Sequence, residues 1–183
     1  MEVFYGFVKR LVEGFESAGL DYAFTGALAV SFYSVPRTTV DVDVVVYVPE
    51  EKYKEKLLAA LKGAGLIADE REIVRAFESS YRIASFRDAS TPYSVDVIFS
   101  ERRFERKAGT VAGLRTFFQT PEDLVLVLAK LRMIRATVPK ERALKDVEDV
   151  KAILRFSRVD LDVVKERARM ENTLSILEDI MEL

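Results

Sequence analysis

The 183-residue chain contains no cysteine and no histidine. The first absence excludes disulfides and thiolate chemistry. The second removes the usual near-neutral general base and the commonest zinc ligand. Catalysis by this chain would have to run on carboxylates, Lys, Arg, hydroxyls or Tyr, and a bound metal would be a hard cation held by oxygen. Gln119 is the single Gln and Asn172 the single Asn, beside abundant Glu, Lys and Arg, a bias expected of a thermophilic source. No apolar run approaches the length of a membrane span. The stretch from Met1 to Phe15 carries charges throughout, unlike the apolar region of a signal peptide, so a cytoplasmic location is expected. A net charge of −2 argues against general coating of nucleic acid. It leaves room for a local basic face, with Arg102, Arg103, Arg106 and Lys107 in one run and Lys130, Arg132, Arg135, Lys140, Arg142 and Lys145 in another.

What is present is a soluble, globular composition, 49% hydrophobic and 32% charged. The chain is organised around Tyr22 to Val48. Apolar Tyr22 to Phe24 leads into Thr25-Gly26, where the chain turns sharply and Gly tolerates the turn. Ala27 to Tyr33 suits about two helical turns, which Pro36 stops. Val40 to Val48 is nearly continuous Val and Tyr, a pattern expected of a strand buried inside a sheet. Into it the sequence sets Asp41 and Asp43, which alternation puts on one face. Two like charges that close repel, and a hard divalent cation would relieve them. The plainer alternative is a strand end with both carboxylates solvated.

Around this stretch, Val3, Phe4, Phe7, Val8, Leu11, Val12 and Phe15 predict an amphipathic first helix ending at Gly19. Pro49-Glu50-Glu51 opens another helix, stopped at Gly63-Ala64-Gly65. From Leu66 to Phe99 the period looks closer to two, and Glu72 to Phe77 and Tyr81 to Phe86 are expected to pair as adjacent strands. Tyr93 to Phe99 is the next strand, and Asp96 its one charged residue; an exposed edge face is the alternative reading of Asp96. Thr110 to Phe118 reads as a weak strand or hairpin. Thr120 then caps a helix, with Pro121 at its first position and Asp123 three residues after the cap. Lys130 interrupts that apolar helix, where snorkelling to solvent is the ordinary role. Arg142, Asp146 and Asp149 align on one side of the next helix, a pattern also met in a surface ion pair.

The order of strand, Gly turn, short helix and Asp-hydrophobic-Asp strand resembles the nucleotidyltransferase (DNA polymerase β-like) superfamily. The Arg37-x-Thr39-x-Asp41-x-Asp43 run, a Pro-Glu-Asp-Leu helix carrying Lys130, and Lys145-Asp146-Val147-Glu148-Asp149 look most like the AbiEii-type branch, which includes toxins of toxin–antitoxin systems. The resemblance spans roughly Leu20 to Leu154. It implies Mg2+ (or Mn2+) held by Asp41 and Asp43, with Asp96 as a third ligand that could take a proton. It implies an NTP substrate near Gly26 and Ala27, with Arg37, Thr39, Lys130 and Arg142 toward the nucleotide and Asp146 positioning Lys130 or touching the nucleoside. The turn here is Gly26-Ala27 where the superfamily usually has Gly-Gly or Gly-Ser, so Ala27 brings only its backbone N–H.

The expected fold is α/β (α+β), a mixed sheet of about five strands flanked by helices with a C-terminal helical bundle. Residues 1–118 would form the core and 119–183 the helical region. The expected activity is metal-dependent nucleotidyl transfer from an NTP to a hydroxyl acceptor, with tRNA or a protein as acceptor and an antitoxin as partner. The alternative is a catalytically degenerate module that binds nucleotide, RNA or protein.

Overall fold

Helices and strands alternate as far as residue 88, three further strands follow, and helices make up the rest of the described chain. The computed structural model describes residues 2–50, 52–135 and 140–182, with the side chains of 129–135 and 140–143 outside the described residues. In order the elements are α1 (Glu2–Ser17), β1 (Tyr22–Thr25), α2 (Gly26–Tyr33), β2 (Asp41–Tyr47), α3 (Lys52–Gly63), β3 (Leu66–Ile67), α4 (Glu70–Glu78), β4 (Ile83–Asp88), β5 (Ser94–Ser100), β6 (Arg106–Val111) and β7 (Leu114–Gln119). Then follow α5 (Pro121–Arg135), α6 (Lys140–Phe156), α7 (Leu161–Met170) and α8 (Leu174–Glu182). No described helix is long and apolar enough to cross a membrane.

The strands form one mixed sheet of seven in the order β3-β4-β5-β2-β1-β7-β6. β2 runs parallel to β5 and β1 parallel to β7, while the other neighbours are antiparallel. β2 lies at the centre, as its Val-rich sequence demands. Val42, Val44 and Val46 share a buried face with Val95, Val97, Phe99, Ala84 and Phe86. Tyr22 and Phe24 extend that face, and Phe15 of α1 packs on Tyr22 with ring centroids 5.1 Å apart.

The chain divides into two compact units. The first, Met1–Leu28 with Thr38–Gln119, holds the sheet with α1, α3 and α4. The second, Ala29–Arg37 with Thr120–Leu183, is helical, its core built from Leu124, Val125, Val150, Ile153, Val164, Ala168, Leu177 and Ile180. Thr120 caps α5 as its sequence predicts, its Oγ1 accepting from the Asp123 N–H at 3.2 Å.

One element corrects the sequence reading. Glu72 to Phe77 is not a strand but the body of α4. Asp69 caps that helix, its side chain accepting from Arg71 N–H at 2.8 Å, and Ile73 and Ala76, three residues apart, are the buried positions. Ile73 and Ala76 would fall on opposite faces of a strand, and with Val74 and Phe77 they form a single helical stripe whose start the Asp69 cap marks. β4 then pairs with β5 and with two-residue β3 instead. These short edge pieces and the β6–β7 hairpin bring the sheet to seven strands rather than about five.

The first unit is tied by a buried carboxylate. Asp88, 6% exposed at the end of β4, accepts from Arg10 Nη2 at 2.7 Å and from the hydroxyls of Ser90 and Thr91. Arg10 Nε also donates to Ala64 O at 2.9 Å, so α1 is held to the α3–β3 corner. Burial alone would raise the Asp88 carboxyl, but Thr91, Arg10 and Ser90 outweigh it and hold it below the ordinary carboxylate value. A folded value below the unfolded one, about 3.9, stabilises the fold above about pH 4, and that stability is lost as pH falls through the folded value. Asp88→Asn is therefore expected to cost about 1–3 kcal/mol at pH 7. Melting curves across pH should show the gap between wild type and variant closing in acid; a gap independent of pH would refute the assignment.

Candidate active site

The site grows from the way β2 begins. Thr39 Oγ1 donates to Asp41 O at 2.7 Å and accepts from the Asp41 N–H at 3.3 Å, which fixes the entry to the strand. Alternation then turns Asp41, Asp43 and Val45 to the face opposite the packed Val residues. The register supplies what the sequence alone leaves open. Asp43 stands beside Asp96 of parallel β5 and beside Thr25 of β1, and Asp96 stands beside Ser85 of β4. One row across the sheet thus reads Thr25, Asp43, Asp96, Ser85. The row on one side reads Asp41, Ser94, Arg87, and the row on the other Ala23, Val45, Ile98, Ile83. With neighbouring strands about 4.8 Å apart and two rises about 6.6 Å, three carboxylates share one small area of a single face.

That face changes character across its width. At β1 it is closed, with Ala23 at 0% and Thr25 at 2% exposed. At β4 it is open, with Ile83, Ser85 and Arg87 all exposed. Asp41 accepts a hydrogen bond from Ser94 Oγ, and Asp96 accepts one from Ser85 Oγ at 2.5 Å. Among the described residues no group of three acidic side chains yet surrounds a single point.

Gly26 sits against this row. Its φ is +55°, the left-handed region where a Cβ is strained. A Cβ added there would lie 2.7 Å from Asp43 Cγ and closer still to Oδ2. Glycine is thus required twice, for the turn and for the room that Asp43 occupies. α2 starts at this residue, so the positive end of the helix lies beside Asp43.

The donor set fits a hard divalent cation. The candidate ligands are carboxylate oxygens in a chain without Cys or His, and at roughly 6 Å each pair of charges costs about 3 kcal/mol at an effective dielectric of ~20. Thr25 Oγ1, level with Asp43, is buried and makes no hydrogen bond among the described residues. An orphaned hydroxyl beside a carboxylate pair is a further oxygen facing the place a cation or its ligand would take.

The other residues singled out in the sequence fall elsewhere or outside the described atoms. Within the helical unit the Arg37 guanidinium pairs with Asp149, and the Arg37 N–H donates to Ser31 Oγ at 2.9 Å. Asp146 and Asp149 are 4% and 8% exposed, so neither is a solvated surface acid. Burial pushes the Asp149 carboxyl up against the pull of Arg37 and Lys145. Arg37→Ala would leave that carboxylate unpaired, at a cost of about 3 kcal/mol. Thermal unfolding is the check, with the loss shrinking at low pH, where the acid is neutral, and partly restored by adding Asp149→Asn. The side chains of Lys130 and Arg142, on α5 and α6, lie outside the described residues. In the expected basic run, Arg103 and Arg106 both reach Asp21, at 3.0 and 3.1 Å, by Tyr47 at the far end of β2 from Asp41. Ser85, Ser94 and Arg87 were not singled out from the sequence. Their only signal is polar alternation within β4 and β5, common on any exposed strand face.

No family model matches the sequence, and no curated protein matches it. Solved structures do. The chain superposes on the antibiotic-resistance factor ANT(2'')-Ia in solution with a TM-score of 0.62 at 13% identity, over 99% of this chain and 98% of that one. ANT(2'')-Ia in complex with adenylyl-2''-tobramycin gives 0.58 at 12% identity over 98% of both chains. An antigenic nucleotidyltransferase-like protein from Paracoccidioides brasiliensis gives 0.56 at 16% identity, over 91% and 89%. At these identities the likeness is one of fold, and it runs through nearly the whole chain: this protein has a nucleotidyltransferase-like α/β fold, with Asp41, Asp43 and Asp96 on one face of its sheet.

Proposed function

We propose that the protein transfers a nucleotidyl group from a nucleoside triphosphate to a hydroxyl acceptor, with Mg2+ or Mn2+ held by Asp41, Asp43 and Asp96. The row that sets Asp43 beside Asp96, against Gly26 and two residues from Asp41, carries this reading. The cation, when bound, neutralises phosphate charge. The N–H groups at the start of α2 take phosphate oxygens, and Gly26 keeps the approach open. Ala27 offers no hydroxyl, so phosphate recognition at this turn falls to backbone. Asp96, on the open side of the sheet, takes the acceptor's proton, since no His is present to do so. The acceptor oxygen bonds to the α-phosphorus, the bond from that phosphorus to the bridging oxygen breaks, and pyrophosphate leaves with the electron pair.

Roles at the nucleotide for Arg37, Thr39, Lys130, Arg142 and Asp146 rest on the AbiEii-like resemblance alone, as do a tRNA acceptor and an antitoxin partner. The adenylylated product bound to ANT(2'')-Ia supports a small-molecule hydroxyl equally well. The test is to incubate the protein with each α-labelled NTP, Mg2+ or Mn2+, and either total cellular RNA or a small-molecule extract. A discrete labelled RNA favours the tRNA reading, and a labelled small molecule the other. No label on either sinks the enzyme. Two observations would then favour a degenerate nucleotide-binding module: Ala27 in the turn, and carboxylates resting on serines. That module predicts stabilisation by NTP and metal without turnover.

A further inference from the structure

The open end of the carboxylate-bearing face has a composition of its own. Beyond Asp41, Asp43 and Asp96, β4 and β5 present Ile83, Ser85 and Arg87, and Ser94, Ile98 and Ser100. No further acid faces out from these two strands. Arg87 is exposed, stands in the same row as Asp41 with Ser94 between them, and its side chain makes no hydrogen bond, ion pair or ring contact among the described residues. Arg10 pairs with Asp88, Arg82 with Glu101, and Arg103 and Arg106 with Asp21, whereas Arg87 is the arginine that shares the outward face of β4 and β5 with the carboxylates. An uncommitted guanidinium beside three carboxylates is poised for a ligand. On the other side of Asp96, Ile98 and Ile83 form a short apolar step.

We propose that Arg87 anchors the acceptor, and that the acceptor is an anion: a hydroxyl compound carrying a phosphate or carboxylate close to the reacting oxygen. The inference rests on nucleotidyl transfer at this site and adds the charge of its second substrate. The planar fork of Arg87 binds the anionic group through two N–H donors. The body of the acceptor lies over Ile98 and Ile83, which leaves its hydroxyl above Asp96. There the O–H oxygen bonds to the α-phosphorus, its proton passes to the Asp96 carboxylate, and pyrophosphate departs with the electrons of the broken P–O bond. A cationic acceptor would find no carboxylate on this platform beyond those that serve the reaction.

The test uses four probes on one scaffold: uridine, uridine 5'-monophosphate, uridine 5'-carboxylic acid and 5'-amino-5'-deoxyuridine. Equilibrium binding is measured with Mg2+ present, with and without NTP, for wild type, Arg87→Gln and Arg87→Lys. The two anions are expected to bind wild type about tenfold or more tighter than uridine. Arg87→Gln should erase the difference, and Arg87→Lys should retain part of it, since it keeps the charge and loses the fork. The phosphate-to-carboxylate ratio then identifies the anion. Where transfer is seen, Arg87→Gln should raise KM for the acceptor and leave KM for NTP unchanged. Equal binding of all four probes, tightest binding of the amine, or an anion preference that survives Arg87→Gln overturns the proposal. Stabilisation by NTP and Mg2+, lost in Asp43→Asn, separately reports nucleotide and metal binding at this site, which nucleotidyl transfer requires. If it is absent while the Arg87-dependent preference persists, the nucleotidyl-transfer reading fails and the anion site stands.

Discussion

Asp43→Asn is expected to lower metal-dependent nucleotidyl transfer by about 10³-fold or more, while the melting temperature moves by only about 1–2 °C. Asn has the size of Asp, so the tight fit against Gly26 is kept and the backbone register with Asp96 and Thr25 is untouched. What disappears is one of the negative charges in the row, and with it the affinity for a hard cation. Label transfer and thermal unfolding on the same preparation separate the two effects. Loss of stability in proportion to activity would make Asp43 a packing residue; full activity in the variant would end the proposed mechanism.

Gly26→Ala should act on fold and site together. A left-handed Ala costs about 1–2 kcal/mol. The added Cβ also meets Asp43 at a distance that real atoms do not adopt, and overpacking of this kind costs about 1–3 kcal/mol more. For a chain of this size the sum lowers the melting temperature by roughly 5–20 °C. Transfer falls as well, because relief requires Asp43 to swing out of its row or α2 to shift. Gly63→Ala is the matched control: its Cβ would meet nothing within 4 Å, at the last residue of α3, and stability should change by under about 1 kcal/mol. Similar losses for both substitutions would show that Gly26 has no special relation to Asp43.

The elements that could be recognised along the chain are those whose cause is local. α1 follows from its apolar stripe, α2 from the Gly turn and Pro36, β2 from its Val run, and α5 from Thr120 and Pro121. The strand reading of Glu72 to Phe77 fails although the signal there is local too: Asp69 caps the helix, and Ile73, Val74, Ala76 and Phe77 follow helical rather than alternating spacing. That Asp41 and Asp43 share a face is also local, since it needs only the alternation of a strand.

Everything that makes these carboxylates a candidate site depends on pairing between distant segments. Asp96 lies next to Asp43 because β5 runs parallel to β2 in this register, and a slip of one residue would turn Asp96 to the other face. The same register brings in Arg87 and Ser85, on a strand whose own sequence announces nothing. Arg37 and Asp149, 112 residues apart, meet only because the second unit gathers both ends of a long excursion. Composition excludes Cys and His from the chemistry and leaves a metal to oxygen ligands, and alternation puts two acids on one face. The third acid, the arginine beside them and the partner of Arg37 follow from long-range hydrogen bonding and packing, which no window of neighbouring residues contains.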